Sequence, residues 1–156
     1  MNKDYDNKGL SLIELLITLS IFCIIVLLAL PKFFTNDYEL VQKTRLLGND
    51  IRMARYLGMS KSAGMYEVYF GKDSYKFSYG IKIIKEVNFG KNFEMLSSFT
   101  KSRVNFNRNG HPNGGGTVTI YDKRTGKFCD ITIIPGTGRI LIKDKIYENE
   151  KLKINR

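Results

Sequence analysis

Cysteine and histidine are scarce in this chain, which has two of the first and one of the second in 156 residues. A structural zinc site takes four thiolate or imidazole ligands, and a small disulfide scaffold takes cysteines at high density, so both are excluded. Only carboxylate metal sites stay open. Proline is scarce as well, at three, and with 43% hydrophobic and 26% charged residues the chain is not a disordered one, despite its 14 glycines. The length leaves room for one core and an appendage, which excludes a multidomain enzyme or a long solenoid. Acidic residues are outnumbered, 15 against 25 Lys and Arg, for a net charge of +10. That excess calls for an anionic neighbour such as nucleic acid, phospholipid headgroups or a cell-wall polymer.

What the sequence holds in excess is one apolar run. Leu10 to Leu30 is interrupted only by Ser11, Glu14, Thr18 and Ser20, and as a helix it would be about 31 Å long, enough to cross a bilayer. A cleaved secretory signal has a positive leader, a shorter apolar core and a small-x-small cleavage site. Here Lys3 and Lys8 are balanced by Asp4 and Asp6, and Leu28-Ala29-Leu30-Pro31 lacks that site. A lipoprotein signal fails too, because Phe22 precedes Cys23. Glu14 is the informative residue: an ionised side chain in hydrocarbon costs on the order of 3 kcal/mol and persists where it has a partner. It asks for a cation. A neighbouring subunit's amine suits it better than the chain's own, which a helix aims elsewhere. The alternative is that Glu14 lies near the membrane edge and reaches the headgroups.

The segment Lys8-Gly9-Leu10-Ser11-Leu12-Ile13-Glu14 resembles the class III signal of type IV prepilins and pseudopilins. The resemblance implies that a membrane peptidase cuts after Gly9, that Leu10 becomes the methylated first residue, and that Glu14 is the carboxylate guiding subunits into a filament. Leu10 stands where phenylalanine is commoner. Pro31 falls where many pilins carry a proline, and there it either bends the helix by removing a hydrogen bond or ends the membrane segment.

Beyond Pro31 the apolar pattern is helical, with Leu40, Leu47, Ile51 and Ala54 at spacings of seven, four and three. Arg45, Arg52 and Arg55 lie along the same segment and read as a solvated basic face. From Tyr66 the period becomes two: Tyr66/Val68/Phe70, Tyr75/Phe77/Tyr79, Val104/Phe106, Val118/Ile120, Cys129/Ile131/Ile133 and Ile140/Ile142. Turn signals at 71–74, 109–116, 123–126 and 135–138 separate these strands. The predicted fold is α+β: a long amino-terminal helix, half transmembrane and half amphipathic, packed on an antiparallel sheet or small sandwich. Residues 1–9 are expected to be a leader, 10–30 the transmembrane and assembly helix, 31–62 its amphipathic continuation, and 63–156 a β-rich globular domain.

Val104-Asn105-Phe106, Asn109-Gly110, Gly116-Thr117-Val118-Thr119-Ile120 and Gly136-Thr137-Gly138-Arg139-Ile140 add a second resemblance, to the GspH/FimT-type minor pilin domain. It implies a protein-interaction subunit at or near a filament tip in a type IV pilus, a type II secretion pseudopilus or a competence pilus. The glycines at 114–116 and 136–138 are followed by no helix pattern and no Gly-Lys-Ser/Thr, so they read as turns and not as a phosphate cradle. His111, the one imidazole, has no nucleophile motif near it. No catalytic residue, cofactor, metal or small-molecule substrate is expected.

Setting aside Lys3, Lys8, Asp4, Asp6 and Glu14, the chain beyond Pro31 carries 23 basic against 12 acidic residues. The excess is dispersed. Arg139, Lys143, Lys145, Lys151, Lys153 and Arg156 form the best candidate for nucleic-acid contacts, diluted by Asp144, Glu148 and Glu150. A solvated face or attraction to an anionic envelope is the competing reading. The expected partners are therefore other pilin or pseudopilin subunits, the prepilin peptidase, the inner-membrane assembly platform and the cell membrane, with DNA as the alternative. A single-pass membrane protein with a cytoplasmic leader, later part of a surface filament, follows from the resemblance, since Lys3 and Lys8 against Lys32 set no orientation.

Overall fold

The computed structural model describes residues 11–60, 65–143 and 145–148, the side chains of residues 29–36 excepted. Helix α1 spans Leu12–Met59. Nine strands follow: β1 Tyr66–Phe70, β2 Ser74–Tyr79, β3 Lys82–Asn88, β4 Phe93–Ser97, β5 Arg103–Asn105, β6 Gly116–Asp122, β7 Lys127–Ile133, β8 Ile140–Ile142 and β9 Tyr147–Glu148. The chain divides into two compact units between Thr35 and Asn36, and α1 contributes to both.

In the second unit the strands form two antiparallel sheets, ordered β3-β2-β1-β5 and β4-β6-β7-β8, with β9 also pairing with β7. The alternation seen in the sequence sets the faces. Val68 and Phe70 of β1 and Tyr75 and Phe77 of β2 are buried, as are Val118 and Ile120 of β6 and Cys129, Ile131 and Ile133 of β7. In register, Ile120 faces Cys129 and Val118 faces Ile131, so one face of the pair is a continuous apolar surface.

The carboxy-terminal part of α1 closes this core with the predicted stripe. Leu40, Leu47, Ile51 and Ala54 are all fully buried, and Thr44 between them hides its hydroxyl by donating to the Leu40 carbonyl at 2.8 Å. Both sheets meet the helix. A Cβ at Gly48 would run into the side chain of Ile142, with Ile131 beyond it. On the other sheet, Asp50 accepts hydrogen bonds from Tyr75 and from Lys85, the latter at 2.7 Å.

Ion pairs fix the start of this segment to the β6–β7 turn. Lys127 lies 2.9 Å from Asp37, and Arg124 spans Glu39 at 2.8 Å and Asp122 at 3.0 Å. Asp122 is fully buried. Burial pushes its carboxyl up, but the Arg124 side chain and amide outweigh that and hold it below its ordinary range. Glu39 is lowered as well, first by its hydrogen bond from Arg124.

Candidate functional site

Two regions carry the residues singled out from the sequence. In the first unit, α1 begins after Ser11, whose side-chain oxygen accepts from the Glu14 amide at 3.3 Å while its carbonyl accepts from the same amide at 3.0 Å. This is a Ser-x-x-Glu helix start: the serine's side chain and carbonyl share the Glu14 amide, which has no partner four residues back within the helix, and the acidic residue sits in the first turn. The positive end of the helix dipole there favours the Glu14 carboxylate. Sequence reasoning missed this local role, although Ser11 and Glu14 at a spacing of three are its signal. Gly9 and Leu10 lie outside the described residues.

From Ser11 to Leu28 every side chain is exposed, Leu12 by 79%. The polar interruptions are partly closed within the helix. Thr18 donates to the Leu15 carbonyl at 2.9 Å and Ser20 to the Leu16 carbonyl at 2.8 Å. Among the described residues no helix is long and apolar enough to cross a membrane; Leu10 and the side chains of residues 29–36 are outside them. The helix runs through Pro31, so the proline does not end it.

The second region is basic, and the structure regroups its members. Lys143 and Lys145 hold their ammonium groups 5.9 and 5.7 Å from the Tyr147 ring. Lys151, Lys153 and Arg156 lie outside the described residues. Arg139 joins neither. It lines an open groove of about 460 Å³ together with Arg52, Arg55, Tyr56, Met59 and Ile140. Arg55 is anchored, donating through Nε to the Gly110 carbonyl at 3.2 Å and through Nη2 to the Thr137 carbonyl at 3.1 Å. Arg52 reaches Asn49 Oδ1 at 3.3 Å. The sequence signal for this grouping was present in part, because residues 52, 55, 56 and 59 fall at i, i+3, i+4 and i+7 on one helical face. His111 sits nearby in the chain's glycine-rich loop with Nδ1 2.9 Å from the Gly136 carbonyl oxygen, a bond that holds the 107–113 loop to the 135–138 turn.

An apolar helix start that offers its side chains to something outside the chain, continued into a helix that seals a two-sheet domain, is the construction of a type IV pilin-like filament subunit. Comparison with known proteins agrees. The model of the prokaryotic N-terminal methylation motif matches residues 5–30. The competence protein ComGD of Bacillus subtilis is 30% identical over 144 residues, covering 90% of this chain and 96% of the relative. The type IV minor pilin FimU of Pseudomonas aeruginosa, in two crystal forms, matches with TM-scores of 0.58 and 0.53. The first covers 73% of this chain and 96% of FimU at 16% identity, the second 67% and 94% at 14%, a likeness of fold. The chain belongs to the family of type IV minor pilins and pseudopilins that includes ComGD. It is a structural subunit and not an enzyme, its partners are other pilin subunits, and it is a membrane-anchored precursor of a surface filament.

Proposed function

We propose that this chain is a minor pilin of a competence-type filament, cut between Gly9 and Leu10 by prepilin peptidase, methylated on Leu10, and inserted at or near the filament tip. The observation that carries this is the run of exposed apolar side chains from Ser11 to Leu28 with Glu14 in its first turn. Such a surface is stable only in lipid or against other apolar helices. Within it, Thr18 and Ser20 bond to their own helix, which leaves Glu14 as the polar group that needs an outside partner. A neighbour's amino terminus, exposed by the cut before its own first residue, supplies the charge. The leader faces the cytoplasm, the assembly platform is met at the inner membrane, and Pro31 bends the helix between its two roles.

The match to a competence protein over nearly the whole length supports the transformation system over secretion or adhesion. Tail lysines give the nucleic-acid alternative no support among the described residues, since Lys143 and Lys145 lie against Tyr147 and do not line Arg139's groove. Amino-terminal sequencing and intact mass of the chain from membrane and filament fractions test the proposal. The expected product starts at methylated Leu10; an unprocessed Met1 start in cells with active prepilin peptidase refutes it.

A further inference from the structure

The groove beside the end of α1 has a composition that the filament reading does not use. Arg103 and Arg124 each sit on a carboxylate, Glu67 for the first, Glu39 and Asp122 for the second. Among the described residues, Arg52, Arg55 and Arg139 do not. Arg52 meets an amide oxygen, Arg55 two backbone carbonyls, and the Arg139 guanidinium no hydrogen-bond partner at all. Three positive charges therefore converge on one concavity, with no carboxylate among its described lining residues. Beside them Tyr56 is 70% exposed and Met59 about half exposed.

We infer that this groove is a docking site for a carboxylate-bearing segment of a different protein subunit. Arginine, tyrosine and methionine are the residue types concentrated at protein–protein contacts, and lysine, which is depleted there, is absent from the lining among the described residues. The planar guanidinium fork matches a carboxylate with two parallel hydrogen bonds. Arg55 is held in place by two carbonyls more than fifty residues away in sequence, so part of the site is ordered before the partner arrives, which lowers the entropy cost of docking.

A net charge of +10 disfavours a second copy as the occupant. A nucleic-acid strand is the rival, since phosphate also fits the guanidinium fork. Backbone recognition follows a basic track. Here the charge is gathered at one compact point, and the lysines that would extend it along β8 and β9 lie over Tyr147.

This inference rests on the minor-pilin reading, and the test separates the two. The full-length chain in detergent micelles is titrated by fluorescence anisotropy with a labelled hexaglutamate peptide and a labelled hexathymidine strand, at about 150 mM salt. The peptide is expected to bind more tightly than the strand. Arg52→Lys and Arg139→Lys, which keep the charge and remove the fork, are each expected to weaken it about tenfold. Lys143→Gln, which removes a charge outside the groove, is expected to leave it unchanged. No peptide binding, equal loss with Lys143→Gln, or tighter binding of the strand overturns the inference. In cells, filament incorporation of the wild-type chain reports on the minor-pilin reading alone. If the wild type is incorporated and Arg52→Lys/Arg139→Lys is incorporated equally well, the docking site is refuted while the pilin stands.

Discussion

Replacing Gly138 by alanine should be among the most damaging single-methyl changes in the globular unit. Gly138 has φ of +64°, a conformation that costs an ordinary L-residue roughly 1–2 kcal/mol. The added carbon would also fall well inside contact distance of the Gly110 carbonyl oxygen, a backbone atom that cannot swing aside. That same carbonyl accepts from Arg55 Nε. Moving it loosens a charge-assisted bond worth about 1.5–3 kcal/mol. Together these give about 2.5–5 kcal/mol, or a melting temperature lower by roughly 10–20 °C for a domain of this size. Two neighbours calibrate the estimate. Gly80 has φ of +56° with open space around it, so Gly80→Ala carries the conformational cost alone; Gly136 has open space and no such φ, so Gly136→Ala should be near neutral. Thermal unfolding of the full-length chain in detergent, followed by circular dichroism, measures all three. A Gly138→Ala chain as stable as Gly136→Ala would refute the packing of the two loops through Arg55.

Glu14→Val should leave membrane insertion intact, since it removes a charge from an apolar segment, and should abolish recovery in filament fractions; equal incorporation would refute the intersubunit pairing. Ser11→Ala, which removes only the side-chain acceptor of the helix start, is expected to cost about 1 kcal/mol of helix stability and to leave incorporation largely intact, read by the same fractionation. Arg124→Met should destabilise the globular unit by about 3 kcal/mol, because it leaves the buried Asp122 carboxylate unpaired. Asp122 and Glu39 both have lowered pKa values when folded. Their contribution is therefore present above the ordinary carboxylate range and is lost as pH falls through the folded values. Acid unfolding of the wild type should steepen below about pH 4, and Arg124→Met should flatten that limb, as denaturant titrations at stepped pH would report.

Much of the fold was legible because burial and periodicity coincide. The helical stripe at Leu40, Leu47, Ile51 and Ala54 and the paired sets on β1, β2, β6 and β7 are where the core lies. Strand β3 was not legible, since Lys82–Asn88 is an edge strand with mostly exposed side chains, and a bulge opposite Phe77/Ser78 breaks its alternation. Strand β4 was overlooked although Phe93 and Met95 alternate into the core; two apolar positions in five residues are too few to stand out. The groove was half legible. Arg52, Arg55, Tyr56 and Met59 share a helix face by spacing alone, but nothing local brings Arg139 to them from a turn more than eighty residues on. That depends on how β8 docks beside β7 and on Ile142 reaching Gly48.

The hydroxyls of Thr18 and Ser20 bear on what moves a subunit from lipid into a filament. Each already bonds to a carbonyl one turn back, so neither gains nor loses a bond when the surroundings change from acyl chains to neighbouring helices. On the proposed reading, the difference between those two settings then falls on Glu14 and on the packing of similar apolar side chains against either medium. The pairing of Glu14 with a neighbour's amine is then what favours the filament over the bilayer, and Thr18 and Ser20 neither add to that preference nor oppose it.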